Sequence, residues 1–462
     1  MKSFIFLFSL LLYSGMVFCQ TVLTGKLSES GGQIISLTGF DGFHSYELVS
    51  SKVAADGSFT LNYPNSYVGM AVLNVGEQES LVLVLEEGGV EIQGTTISDF
   101  ERTKISKGQE NLWFSTYASE QPKRERALNV WRYLQNVYND SLFSKQTKPI
   151  QLFAAEIQRI KEEGEAFLAV LPDNSYMKWY LPNRGLIANV ENIVMNLPSE
   201  IPDAIIQFRS LDFTDKRWYT SGILNEAIES HVRLIENSSG ELDSVYAELN
   251  RSTDILIEKL KLEPVLFNTV ADKLFMYLEK RSLFRSAEYL ALKLLNTNVC
   301  DLESTFTDKL EAYRVMRKGN TAADIEFGQN TLLPPGVKAS KLSDLNSEFT
   351  LVVFAAGWCS HCVTLIPKLT DKYHQWKNRG VEIVLFSLDN TVEDFRKFAE
   401  NLPFIRTTDL KMWDGKVAQE YHVYGTPTMY LLNKDRQILV NIKSPEHMDA
   451  WVNNTDLVRE SN

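Results

Sequence analysis

Phe349-Thr350-Leu351-Val352-Val353-Phe354 leaves almost no polar face, and Cys359-Ser360-His361-Cys362 follows it just before an amphipathic stretch. A nearly continuous apolar run is what a strand covered on both faces requires. Leu365, Ile366, Leu369, Tyr373 and Trp376 then recur on one helical face, and Val381 to Leu388 forms a second apolar run. Strand, helix, strand is a βαβ unit with parallel strands and a right-handed crossover. This order predicts an α/β domain with both cysteines at the start of its first helix. Further on come a helix around 391–401, then Gly425-Thr426-Pro427-Thr428 leading into a strand Met429–Leu432. A turn at Asn433-Lys434-Asp435, a strand Gln437–Ile442 and a helix from Pro445 to about Val452 close the domain.

Two cysteines three apart on a helix's first turn lie close enough to close a small disulfide ring. The unpaired N–H groups and the positive dipole end there stabilise a thiolate, and the thiolate is the species that attacks a disulfide. Cys359, the more exposed of the two, is the candidate nucleophile, and Cys362, one turn further in, the resolving thiol. Such a pair is open to other chemistries. A zinc site needs two more ligands, and no second CxxC or paired His is present. A peroxiredoxin-type peroxidase places a Thr three before its reactive Cys, where this chain has Ala356. A structural disulfide in an inactive shell stays open. No metal and no cofactor is called for.

With 462 residues the chain exceeds a single core. At 44% hydrophobic and 23% charged residues it has the composition of a folded protein. A net charge of −12 makes nucleic acid and anionic membrane surfaces poor candidates for partners. Lys2, the apolar run Phe4–Leu12 and Val17-Phe18-Cys19 read as a secretory signal, residues 1–19, cleaved after Cys19. The rival reading makes Cys19 a lipidated anchor, the one route by which a membrane becomes a partner. Without that segment three cysteines remain, Cys300, Cys359 and Cys362, too few for a disulfide-built fold. Cys300 follows a polar stretch and reads as a free, partly buried thiol.

Residues 20–108 carry short β-rich runs (Val22–Leu27, Gln33–Leu37, Ser58–Leu61, Met70–Val75, Leu81–Leu85, Val90–Ile92) separated by Gly-containing turns. They predict a small antiparallel all-β sandwich. Residues 109–320 turn helical: Leu266, Val270, Leu274 and Leu278 recur every four residues, and Ile157, Ile160, Phe167, Leu168 and Leu171 share a face. Trp113, Trp131, Trp179 and Trp218 there are core residues or line a groove. The stretch 319–336 reads as a linker with a possible edge strand in its first part, and 321–462 as the α/β domain. The fold class is therefore multidomain: β-sandwich, all-α middle, α/β C-terminus.

From about Thr331 the chain resembles the thioredoxin superfamily, especially the exported TlpA/ResA-like thiol–disulfide oxidoreductases. The matching residues are Trp358-Cys359-x-x-Cys362, Pro367 within the helix, and Thr426-Pro427. The resemblance implies a thioredoxin-like fold, a cis peptide bond before Pro427 and a Thr426 backbone that pairs with an incoming peptide strand. It assigns redox tuning to Trp358 and His361 and substrate binding to Thr426 and Pro427. Its partners are thiol- or disulfide-bearing envelope proteins and an upstream thiol electron donor, which places the protein in the periplasm or cell envelope. Asp56-Gly57-Ser58-Phe59 resembles a β-domain that precedes such modules in envelope proteins. Two departures stand out. Val353 and Leu365 occupy the places where thioredoxins and ResA-like proteins carry a buried acid, so proton loss from Cys362 is expected to be slow. His361 resembles the residue of isomerases and strong oxidants. Family context favours a reductase; the alternatives are an isomerase or oxidase, or a binding protein with a vestigial thioredoxin shell.

Overall fold

The computed structural model describes residues 20–99, 102–138, 147–296 and 304–459; the signal-like segment with Cys19, and Cys300, lie outside the described residues. The chain divides into two compact units, Met1–Glu263 and Pro264–Asn462.

In the first unit, strands β1 (Gln20–Leu27), β2 (Ile34–Asp41), β3 (His44–Lys52) and β4 (Ser58–Pro64) are followed by β5 (Gly69–Val75), β6 (Glu79–Leu85), β7 (Val90–Gly94) and β8 (Lys104–Lys107). They form two four-stranded sheets, ordered β4-β1-β7-β8 and β3-β2-β5-β6. Phe59, Leu61 and Tyr63 alternate inward from β4 onto Leu23, Leu37 and Leu73, the core of a sandwich. Gly57, at φ 84°, makes the turn into β4, where a Cβ would lie 2.4 Å from the Leu27 carbonyl oxygen. One pairing differs from the antiparallel expectation: β1 and β7 run parallel, with Leu23 opposite Val90. The sequence reading passed over β3 because its side chains are exposed or half-buried throughout, so it carries no apolar alternation.

Helices α1 (Gln109–Tyr138), α2 (Thr147–Ala169), α3 (Tyr176–Ala188), α4 (Val190–Asn196), α5 (Ile201–Ser210), α6 (Leu224–Glu236) and α7 (Leu242–Leu260) complete this unit. The start of α1 is tied to the sandwich: the Asn111 side chain accepts from the Val84 N–H at 2.8 Å and donates to the Val84 carbonyl at 2.7 Å. The neighbouring Glu110 carboxylate accepts from the N–H groups of Tyr176 (3.1 Å) and Met177 (2.9 Å), supplying α3 with an anionic cap. Trp218 is a core residue, with Trp179 packed edge-on at 5.1 Å; Trp113 and Trp131 are half-buried.

His231 on α6 stacks on Phe208 at 5.5 Å, and its Nδ1 is sealed from solvent without a partner. Burial, helped by the nearby Arg209, pushes its pKa down from 6.5 to about 3. Between those two values the unfolded chain binds the extra proton and the folded one does not, so stability rises with pH there. This unit is expected to lose up to about 1.4 kcal/mol per pH unit as the pH falls below the unfolded value. Urea titrations of wild type and His231→Gln at several pH values check it; an unchanged acid slope in the variant would contradict the assignment.

The second unit opens with α8 (Pro264–Lys280), α9 (Phe284–Asn296) and α10 (Ser304–Val315). The four-residue repeat of α8, Leu266, Val270, Leu274 and Leu278, is buried. Then come β9 (Phe349–Ala355), α11 (Ser360–Lys377), β10 (Val381–Ser387), α12 (Val392–Ala399), β11 (Ile405–Thr407), α13 (Lys416–Glu420), β12 (Thr428–Asn433), β13 (Ile438–Ile442) and α14 (Pro445–Arg459). The sheet order is β11-β10-β9-β12-β13; β9, β10 and β11 run parallel, while β12 lies antiparallel to β9 and β13 to β12. The sheet separates two cores. One joins Leu351, Val353 and Leu385 to Ile366, Leu369 and Trp376 of α11. The other joins Val352, Phe354 and Phe386 to Tyr421 and Tyr430. Within 319–336, Thr321 and Leu332 form isolated bridges to Gln437 and Arg406, so this stretch borders the sheet.

Candidate active site

β9 ends at Ala355, and α11 begins at Ser360 with Cys359 as its N-cap in an extended conformation (φ −90°, ψ 111°). That geometry brings the Cys359 sulfur back over the first turn, where it accepts from the Cys362 N–H at 3.2 Å. The two cysteines form a disulfide with Cα atoms 5.2 Å apart, inside the ordinary range for such bonds. Cys359 is 8% exposed and Cys362 fully buried, so the first is the less enclosed of the two.

The Thr426–Pro427 peptide bond is cis, and the Thr426 carbonyl oxygen lies 3.5 Å from the Cys359 sulfur. Thr426 and Pro427 are both half-buried, next to the exposed Gly425. Trp358 is 51% exposed; its Nε1–H donates to the Leu388 carbonyl at 3.4 Å, and its ring meets Trp413 at 5.9 Å. His361 is exposed on the first turn of α11, and Pro367 sits inside that helix. The structure thus gathers Trp358, Cys359, Cys362, Thr426 and Pro427 around one disulfide, with His361 on the same helical turn.

Val353 is sealed in the core, and Leu365 packs half-buried against it, so neither position supplies a carboxylate. Another position does. Asp389, just past β10, is 1% exposed, and both its oxygens accept from the Gly357 N–H, at 3.0 and 3.2 Å. Ser387 Oγ donates to the same group at 2.7 Å. Sequence reading missed it. The available signal was an acidic residue just past a mostly apolar strand.

Among the described residues, two surface depressions border the residues near the disulfide. One, of about 870 Å³, is bounded by Trp358, Ile366, Pro367, Asp389 and Phe398. The other, of about 500 Å³, is lined by Trp413, His422, Val423 and Tyr424, beside the Thr426 loop. His422 is half-buried, its Nδ1 lies 3.2 Å from the Tyr424 hydroxyl, and burial lowers its pKa against the pull of Glu311 and Asp308.

A parallel-centred sheet, a CxxC disulfide capping a helix and a cis-proline loop facing it define a thioredoxin-like oxidoreductase, and residues 346–438 match a thioredoxin-like family model. The chain is 32% identical over 162 residues to the thiol-disulfide oxidoreductase ResA of Oceanobacillus iheyensis, covering 34% of this chain and 79% of that protein. It belongs to the family of these thiol-disulfide oxidoreductases. ResA of Bacillus subtilis is 29% identical over 106 residues, which are 22% of this chain and 56% of that protein, so there the chain spans little more than half of its relative. A thioredoxin-like protein from Bacteroides caccae aligns with 56% of this chain and 94% of its own, at 18% identity and a TM-score of 0.44.

Proposed function

We propose that the protein exchanges disulfides with other proteins through Cys359 and Cys362, running mainly as a reductase. The observation that carries this reading is the setting of Cys359: an accessible sulfur at a helix start, accepting from the Cys362 N–H and facing the Thr426 carbonyl. The same N–H that meets the sulfur in the disulfide stabilises a thiolate once the bond is reduced.

In the forward direction the Cys359 thiolate attacks one sulfur of a substrate disulfide. The substrate S–S bond breaks, its other sulfur leaves as a thiolate and takes a proton from water, and a mixed disulfide forms. Cys362 then loses its proton and attacks the Cys359 sulfur. The second substrate sulfur leaves, and the Cys359–Cys362 disulfide remains. Two electrons pass from the dithiol to the substrate, and a thiol donor must return them. An extended substrate segment pairs its backbone with Thr426, whose neighbour Pro427 has no N–H to compete. The signal-like residues 1–19 support action outside the cytoplasm on envelope proteins. Among the described residues no helix is long and apolar enough to cross a membrane.

His361 favours a second direction. A histidine at this place, as in the isomerases and strong oxidants it resembles, stabilises the Cys359 thiolate and so the reduced state, which makes the pair a better oxidant or isomerase. The reduction potential is therefore expected to be less negative than the roughly −270 mV of thioredoxin. Equilibration with glutathione redox buffers, followed by thiol trapping, measures it. A value at or below about −270 mV would remove His361 from the account and leave a plain reductase.

A further inference from the structure

We propose that Asp389 is a positioning residue of the redox centre: it grips the loop before Cys359 through the Gly357 N–H and so aims the sulfur at the Thr426 carbonyl. This rests on Cys359 being the attacking sulfur. A carboxylate 1% exposed is costly to bury unless its oxygens are matched by donors. Here both oxygens take the Gly357 N–H, and one also takes the Ser387 hydroxyl at 2.7 Å. Ser387 Oγ in turn accepts from the Asp389 N–H at 3.1 Å, so the acid is fixed from its own backbone side as well.

The grip is part of a larger clamp. The Leu388 N–H donates to the Ala355 carbonyl at 2.9 Å, and the Trp358 indole donates back to the Leu388 carbonyl at 3.4 Å. The residues just past β10 therefore hold Ala355, the end of β9, and Gly357 and Trp358, two of the three residues between β9 and the nucleophile. Of these contacts only the one to Asp389 involves a charged group, and charge-assisted hydrogen bonds are roughly twice as strong as neutral ones. Close approach also depends on Gly357: a Cβ there would stand 3.2 Å from Phe398 Cβ and 3.5 Å from Asp389 Oδ1. Reacting groups displaced by about 1 Å lose on the order of a hundredfold in rate. A loop released from its carboxylate has that freedom.

The test uses the full reduced chain as wild type, Asp389→Ala and Asp389→Asn. The readouts are the rate of attack on a small aromatic disulfide, which needs no docking surface, and the thermal midpoint. Asn still offers an oxygen to the Gly357 N–H, and the Ser387 hydroxyl can turn to accept from its amide. Asp389→Ala is expected to react about tenfold more slowly per folded molecule, and Asp389→Asn to stay within about threefold of wild type. An Ala variant reacting at the wild-type rate, or an Asn variant as slow as Ala, overturns the proposal. A wild type unreactive toward disulfides overturns the underlying function and this role with it. Amide hydrogen exchange at Gly357 in the wild-type protein tests the grip without any variant: strong protection is expected, and exchange at the rate of an open loop amide contradicts it.

Discussion

Replacing Cys359 with serine is expected to drop catalysed disulfide reduction to background, a loss of at least about a thousandfold. A serine hydroxyl does not ionise near neutral pH, so even at the same helix start no anion forms to attack a disulfide. Cys362→Ser is expected to fail differently. The group that meets the Cys359 sulfur is the backbone N–H of residue 362, at 3.2 Å, and serine keeps it. Attack should therefore continue, and without a resolving thiol at residue 362 the reaction, with no thiol donor added, should stop after one event per chain. Insulin reduction with a thiol donor reads the steady state, and stoichiometric thiol release reads the single event. Turnover by Cys359→Ser at the wild-type rate would sink the mechanism.

The second large effect concerns stability. Trp376→Ala is expected to destabilise the C-terminal unit by about 3–5 kcal/mol. The indole is fully buried in the core between α11 and the sheet, and its Nε1–H donates to Asp449 Oδ1 on α14 at 2.7 Å. Truncation leaves a cavity on the α11 side of the sheet and removes one partner of Asp449, which keeps its ion pair with Lys372 at 2.9 Å. Trp376 lies near the far end of α11 from the sulfurs, so attack per folded molecule should hardly change. Urea unfolding, followed through the transition of this unit, gives the measurement. A midpoint within error of wild type would mean that the indole is not the packing anchor described.

Much of the fold was legible because its signals are local. The β9 and β10 runs and the helical spacing from Leu365 to Trp376 state the βαβ unit outright, and each falls inside the observed element or just at its edge. The α8 repeat was equally plain. What escaped was non-local or faint. Neither β1 nor β7 carries anything in its own residues that sets their pairing parallel. Strand β3 is a polar edge, and β11 has three residues, too short for any period to register. The division between Glu263 and Pro264 falls in the short turn between α7 and α8, within a run of helices, since it follows packing rather than composition.

The same contrast runs through the site. Trp358, Cys359 and Cys362 sit in one short motif, and Thr426-Pro427 in another, so both motifs were visible before their geometry. Asp389 lies 32 positions after Gly357, and only the pairing of Ala355 with Ser387 across β9 and β10 brings it beside the loop. The missing acids at Val353 and Leu365 were legible; the acid that the structure places beside the loop was not, because a register is a property of two strands together.

One measurement bears most directly on the central claim that Cys359 is the attacking sulfur. The Cys362→Ser chain is mixed with an oxidised cysteine peptide, digested without reductant and read by mass spectrometry. The account predicts one peptide per chain, disulfide-linked to the fragment that carries Cys359. No adduct, or an adduct on Cys300 in its place, would contradict it.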